Sequence, residues 1–315
     1  MSLKTPFVFT VCLFLLLLGI SNITLAVTNA KNGYKAIAGN NDGFIAVGTD
    51  GRIDRISKSG EIIKSEKISD NELRSLLSCE QTIIVAGEKG TLLMSAEDGI
   101  FKKIDVKTNN NINSLALFRE YIIAGADKGE LLIGNELGYF ESIRLNLKGN
   151  IVSVSAGTSE CYGVTDEGEV IQTSDGFNWK IFNFNEVYSG YYKPCSFTCV
   201  SVTENTIAVT GKNQDNSPVL FFSTQGNVWS ERNLDYTDNK GYPYYLQEIP
   251  NSIFYDFPED RFLLVCNKGK LMSIPSCSQC NKLIELATSE NLKGIASNLD
   301  GFIIVGEGNY IDIIR

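Results

Sequence analysis

The sequence predicts an all-β ring of seven four-stranded units. Three observations carry this: a glycine that returns at a fixed interval, an opening stretch that recurs at the end of the chain, and no sustained helical period. Four segments align without gaps: FIAVGTDGRIDRI (44–56), IIVAGEKGTLLMS (83–95), IIAGADKGELLIG (122–134) and CYGVTDEGEVIQT (161–173). Their second glycines are Gly51, Gly90, Gly129 and Gly168, three successive steps of 39. The phrase returns at 261–273 and 302–314, with a degenerate copy at 206–223. Residues 34–56 recur as 292–314, repeating Asp42-Gly43-Phe44, Val47-Gly48 and Ile53-Asp54. That offset is longer than six such steps, so seven copies fit with an insertion between Gly168 and Gly269.

Each copy has one grammar. A strand of small residues comes first (KAIA at 35–38, SLLS at 75–78, SLAL at 114–117, SVSA at 153–156). A β-branched strand, a glycine turn, a third strand and a more polar fourth strand follow. Four strands per unit at a period near 40 is the pattern of a β-propeller. Small side chains suit the innermost strand, where seven strands crowd the axis. The expected blades are approximately 34–70, 71–110, 111–149, 150–185, 195–235, 250–288 and 291–315, in one domain spanning 27–315. The last copy runs out after its third strand, so residues 27–33 are expected to pair with 310–314 and close the ring.

Residues 1–26 read as an export signal. Lys4 is the positive n-region, Phe7 to Ile20 the apolar h-region, and Thr24-Leu25-Ala26 and Thr28-Asn29-Ala30 offer cleavage sites. The alternatives are an uncleaved anchor over Phe7 to Val27 and lipidation at Cys12. No second apolar span follows, so the expectation is a secreted or extracytoplasmic protein with no membrane span after cleavage.

A net charge of −9 argues against a phosphate-backbone partner, so no nucleic acid is expected. Histidine is absent, which removes histidine triads and histidine-ligated zinc. No cofactor, metal site or catalytic residue is predicted.

The turn after the third strand carries a second pattern. Blade 4 reads Ser174-Asp175-Gly176-Phe177-Asn178-Trp179, blade 5 Ser223-Thr224-Gln225-Gly226-Asn227-Val228-Trp229, and blade 2 Ser95-Ala96-Glu97-Asp98-Gly99-Ile100-Phe101. An aspartate that accepts turn amides, a glycine at positive φ and an aromatic wedge make Asp175, Gly176 and Trp179 a structural turn. These turns resemble the Asp-box of bacterial neuraminidase repeats. With the regular period they make the chain similar to the Asp-box propeller group, which includes sialidases and the photosystem II assembly-factor type of propeller. The resemblance implies the fold but not the chemistry. Sialidases grip a carboxylate with three arginines and attack with a tyrosine, and the Arg-Ile-Pro signature is absent here. Arg52, Arg55, Arg74, Arg119, Arg144, Arg232 and Arg261 are scattered, so the arginine patch of the assembly-factor type is missing too.

Seven cysteines remain after Cys12, and Cys277-Ser278-Gln279-Cys280 falls where other blades place the turn, so a Cys277–Cys280 disulfide is expected to pin it. Two insertions break the period. Asn183 to Pro194 holds Phe184, Tyr188, Tyr191 and Tyr192; Asp235 to Asn251 holds Tyr236, Tyr242, Tyr244 and Tyr245. Both link an outer strand to the next inner strand, so they are expected side by side on one face. Their tyrosines either pack to order the loops or form a ligand-binding surface. Nearby Glu186, Asp235, Asp238 and Glu248 suit cations, but without the spacing of a calcium loop. The leading function is a non-catalytic binding or assembly scaffold for a protein or glycan. The alternatives are a glycosidase-like enzyme with paired carboxylates at the channel mouth and a purely structural module.

Overall fold

The computed structural model describes residues 32–40, 42–79, 82–95, 99–238, 240–276, 280–298 and 301–314. They form a seven-bladed, all-β propeller of antiparallel sheets with strands in consecutive order. Blades 1 to 6 each have four strands, and blade 7 has three among the described residues, at Leu292–Asn298, Gly301–Gly306 and Ile311–Ile314. One α-helical turn, Phe184–Val187, and a separate two-stranded hairpin complete the secondary structure of the described residues beside short 3-10 turns. Each first strand packs beside the first strand of the next blade, and the seventh, Leu292–Asn298, returns to the first, Tyr34–Asn40.

The repeat glycine has a geometric cause. In blades 1, 2, 3 and 6 the second and third strands are joined by a residue and a glycine that both have positive φ. The pairs are Asp50 and Gly51 (60° and 68°), Lys89 and Gly90 (53° and 66°), Lys128 and Gly129 (58° and 67°), and Lys268 and Gly269 (55° and 69°). Two left-handed residues in a row make a type I′ turn, whose twist matches the flanking strands. The connector to the next blade lies directly over this glycine: a Cβ on Gly51 would fall 1.9 Å from the Ser69 carbonyl oxygen.

Small residues on the first strands have an equally local reason. Ser75 Oγ accepts the Leu115 amide (3.1 Å), Ser114 Oγ the Val154 amide (3.0 Å), and Ser153 Oγ the Val200 amide (3.2 Å). Each hydroxyl staples one inner strand to the next, where a larger side chain would hold the strands apart. Just before this position every first strand skips one residue of its pairing register. The skipped residues are Lys35, Arg74, Asn113, Val152, Thr198, Asn251 and Lys293. A bulge turns a side chain away from its pleat, and most of these reach the following blade. Arg74 donates to Asn113 Oδ1 (2.9 Å), Asn113 to the Ile151 carbonyl (3.0 Å), Thr198 to the Pro250 carbonyl (2.8 Å), and Asn251 to the Leu292 carbonyl (2.8 Å). Lys35 pairs with Glu72 at 3.3 Å.

The core is not a single centre but a layer between each pair of blades. Ile45, Val47, Leu76 and Val85 fill the junction of blades 1 and 2; Tyr34, Phe44, Ala296 and Ile303 fill that of blades 7 and 1. At the latter junction the Tyr34 hydroxyl donates to buried Asp54, Arg52 pairs with the same carboxylate (3.1 Å), and Arg52 also donates to Asn309 (2.8 Å). Burial and then the hydrogen bond to Asp54 push the Tyr34 hydroxyl well above its ordinary value. Burial and the bonds to Glu160 and Asp312 do the same for Tyr162 and Tyr310. A raised folded pKa means stability that is complete below the unfolded value and lost as pH rises past about 10. Spectrophotometric titration should therefore show these three tyrosines ionising only with alkaline unfolding. Ionisation of all tyrosines near pH 10 in the folded protein would contradict it.

The turn after the third strand of blade 4 is tied by its own side chains. Asp175 accepts the Phe177 and Asn178 amides (2.9 and 2.8 Å) and the Asn178 side chain (2.7 Å), and Trp179 Nε1 donates to the Gly176 carbonyl (3.0 Å). Gly176 has φ 88°. Blade 5 repeats the wedge, with Trp229 Nε1 donating to the Gly226 carbonyl at 3.0 Å. Cys277 lies outside the described residues, and so therefore does the Cys277–Cys280 pairing. Of the expected closing segment, only Asn32 and Gly33 are among the described residues. Asn32 and Gly33 do not run along 310–314; Gly33 bridges Glu307, and the Asn32 carbonyl accepts the Gly308 amide (2.8 Å). These two residues are a connector lying over a turn, and 27–31 fall outside the described residues.

Candidate functional site

The structure divides the seven tyrosines of the insertions into packed and displayed groups. In the first insertion the helical turn Phe184–Val187 is capped by Asn183, which accepts the Glu186 amide. It drives Phe184 into the junction of blades 4 and 5, where the ring is 1% exposed. Around it stand Phe221 (4.6 Å between centroids), Tyr188 (4.8 Å), Phe197 (5.4 Å) and Tyr192 (5.9 Å). The Tyr188 hydroxyl also accepts the Trp229 amide at 2.8 Å. Asn185 fastens the loop, donating to the Glu167 and Cys195 carbonyls and accepting the Cys195 amide. Tyr188 and Tyr192 are thus partly buried packing residues, whereas Tyr191 is 84% exposed.

The second insertion builds a hairpin, Asp235–Thr237 against Pro243–Tyr245, with Tyr236 opposite Tyr244 and Asp235 opposite Tyr245. Asp238 closes its turn by accepting the Lys240 and Tyr242 amides (2.8 and 2.9 Å). Leu234 and Leu246 root the hairpin in the junction of blades 5 and 6. Asn281 clamps it from blade 6, donating to the Asn233 and Asp235 carbonyls (2.9 and 2.8 Å). Successive residues of a strand point to opposite faces, so Tyr244 and Tyr245 look in different directions. Tyr244 stacks on Tyr236 (5.8 Å, 22° between planes) in a cleft of about 500 Å³ shared with Leu283 and Glu285 of blade 6. Tyr245 lines a cleft of about 360 Å³ with Pro218, Glu231 and Arg232 of blade 5. That second cleft exists because the outer strand of blade 5 is only Ser230–Glu231: the chain leaves at Arg232 to build the hairpin.

The two insertions flank blade 5 at adjoining junctions. The first loop caps the junction of blades 4 and 5, while the hairpin stands at the outer edge between blades 5 and 6. Tyr191, Tyr242, Tyr244 and Tyr245 remain exposed. Tyr236 is partly buried, and burial raises its hydroxyl above the ordinary value. Asn281 is the residue that sequence reading missed. It follows Cys280 in an irregular turn, and only the fold shows it reaching back across the chain to Asp235.

The acidic residues near the loops are dispersed. Glu186 pairs with Lys148 (2.7 Å), Glu248 with Lys268 (3.7 Å), and Asp238 holds its own turn. Among the described residues no cluster of three potential ligands could hold a metal. Cys161 and Cys195 are buried, and burial pushes each thiol up to about 12, far from a reactive thiolate. Carboxylates beside the starts of the first strands are engaged by neighbours: Glu72 and Glu88 by Arg74, Asp127 by Asn111 and Asn113, and Asp166 by Asn150.

No family model matches the sequence, and no curated protein matches it. Solved structures do match in shape. The computationally designed Ika8 protein superposes with a TM-score of 0.62 at 10% identity, covering 91% of this chain and 97% of its own. The Pan2 WD40 domain of Neurospora crassa superposes with a TM-score of 0.65 at 10% identity, covering 90% and 92%. At such identity the likeness shows the fold alone: this chain is a β-propeller.

Proposed function

We infer that the protein is a non-catalytic binding or assembly scaffold, that it works outside the cytoplasm, and that it captures a protein or glycan through the tyrosines around blade 5. The observation that carries the reading is the exposure of Tyr191, Tyr242, Tyr244 and Tyr245 on the two segments that break an otherwise economical repeat. Tyrosine offers a rigid, amphipathic contact surface at low entropic cost. Long connections on a compact scaffold are where binding residues concentrate. The apolar run from Phe7 to Ile20 supports the export half of the reading. The tied turns at Asp175 and Gly226 support a place near the Asp-box propellers.

A glycosidase reading has less support. A general acid needs a carboxyl pushed upward, yet the carboxyls displaced from the ordinary range among the described residues all move down. Asp175 is lowered by Asn178's side-chain and backbone donors, then by Phe177, and Asp70 by Lys67. Burial pushes Glu130 up, but donors from Ser142, Thr108 and Asn110 outweigh it.

The test is a glycan and peptide array probed with the exported protein and with a variant carrying Tyr191, Tyr242, Tyr244 and Tyr245→Ala. Interface aromatics cost about 2 kcal/mol or more when truncated, so capture should fall at least about 30-fold while the melting temperature moves by only a few degrees. Undiminished capture by the variant would move the binding surface elsewhere.

A further inference from the structure

We propose that the cleft between the hairpin and blade 6 receives the guanidinium or ammonium group of a basic side chain, so that the captured partner is a polypeptide presenting arginine or lysine. The inference rests on the binding role of the exposed tyrosines and adds to it the chemistry of the partner. Three observations converge. First, both walls of the cleft are fixed in advance. One wall is the hairpin and the other is the outer strand of blade 6, Lys282–Glu285. Asn281, at the start of that strand, holds the Asn233 and Asp235 carbonyls of the opposite wall. Leu234 and Leu246 are buried at the foot of the hairpin. A site set before binding loses little entropy when it is filled.

Second, the charged groups of the lining only accept. Tyr236, Thr237, Asp238, Tyr244, Leu283 and Glu285 surround about 500 Å³, and among the described residues no lysine, arginine, asparagine or glutamine lines it. Carboxylates accept hydrogen bonds and donate none, whereas guanidinium and ammonium groups only donate. Asp238 uses Oδ1 for the Lys240 and Tyr242 amides. Glu285 is largely exposed and pairs with Lys270, which stands outside the lining. A sugar ring, whose hydroxyls both give and take, is better served by mixed walls. The cleft on the other side of the hairpin has that mixture, with Arg232, Asn233 and Gln247 beside Glu231.

Third, the aromatic pair suits a cation. Tyr236 and Tyr244 are cross-strand partners on one face of the hairpin, with ring centroids 5.8 Å apart and planes at 22°. Tyr244 stays 47% exposed, so the stack keeps an open ring beside two carboxylates. A cation is drawn to the face of such a ring by its quadrupole, and a flat guanidinium also stacks on it. The chain's net charge of −9 favours encounter with a basic partner.

The test uses the full chain and the peptides it captures on the array. Each captured peptide is reprinted with arginine as citrulline and lysine as acetyl-lysine, which keep the shape and remove the charge. Capture should fall about tenfold on one such replacement, and by a similar factor when a Glu285→Gln variant meets the unmodified peptide. The same variant should hold the charged and the neutral peptide nearly alike, as two groups in one contact do. Glu136→Gln, an exposed site on blade 3, makes the same change in net charge and should leave capture unaltered. Captured peptides that are indifferent to neutralisation overturn the proposal, as does an array that yields only glycans. A Glu285→Gln variant that discriminates as well as the parent also overturns it. In each of these cases the scaffold function stands if the quadruple tyrosine variant loses capture; undiminished capture by that variant overturns both.

Discussion

Replacing Phe184 by Ala should lower the unfolding free energy by about 3 to 5 kcal/mol, the largest loss expected from any side chain in the two insertions. The ring is 1% exposed and has four aromatic neighbours with centroids no more than 5.9 Å away, drawn from its own loop and from blade 5. Truncation leaves a cavity that the flanking strands, pinned in their ladders, are poorly able to collapse. Tyr191→Ala on the same loop should change stability by no more than about 0.5 kcal/mol, because that ring is 84% exposed. Urea unfolding of the two variants measures the contrast. Equal losses would mean that the loop packs as one unit, and Tyr191 would then leave the set of binding candidates.

The second large effect is at the repeat glycine. Gly90→Ala should cost about 2 to 4 kcal/mol, because two penalties add. Its φ of 66° is costly for a residue with a Cβ, and that Cβ would lie 1.9 Å from the Thr108 carbonyl oxygen. The neighbour is backbone, held by the connector between blades 2 and 3, so it has no rotamer through which to yield. Gly190→Ala is the matched control: no atom lies within 4 Å of its added Cβ, and the change should be close to neutral. A Gly90 variant as stable as the Gly190 variant would show that the connector moves freely.

The repeat was legible because its signal is local. A type I′ turn favours glycine and a hydroxyl staple serine, so Gly51, Gly90, Gly129 and Gly269, and Ser75, Ser114 and Ser153, recur visibly on a linear string. The bulge that precedes Ser75 left no such mark. It is filled by lysine, arginine, asparagine, valine or threonine, because what each blade requires there is a displaced backbone and not a particular side chain. The tyrosines show the same division. Composition and spacing located both insertions, but nothing in the order Tyr188, Tyr191, Tyr192 says which ring faces inward. That depends on Phe184 and Phe221 meeting from different blades.

By itself, then, the sequence determined the number of blades, the strand order within each and the places where the period is broken, since turns and staples act over short spans or one fixed repeat. Tertiary structure alone decided which rings of the two aromatic insertions pack and which stay exposed. It also decided that Asn281 clamps the second insertion, and that Asn32 and Gly33 lie over a turn of blade 7. Those outcomes rest on contacts between segments far apart in the chain, and the repeat constrains only what it repeats.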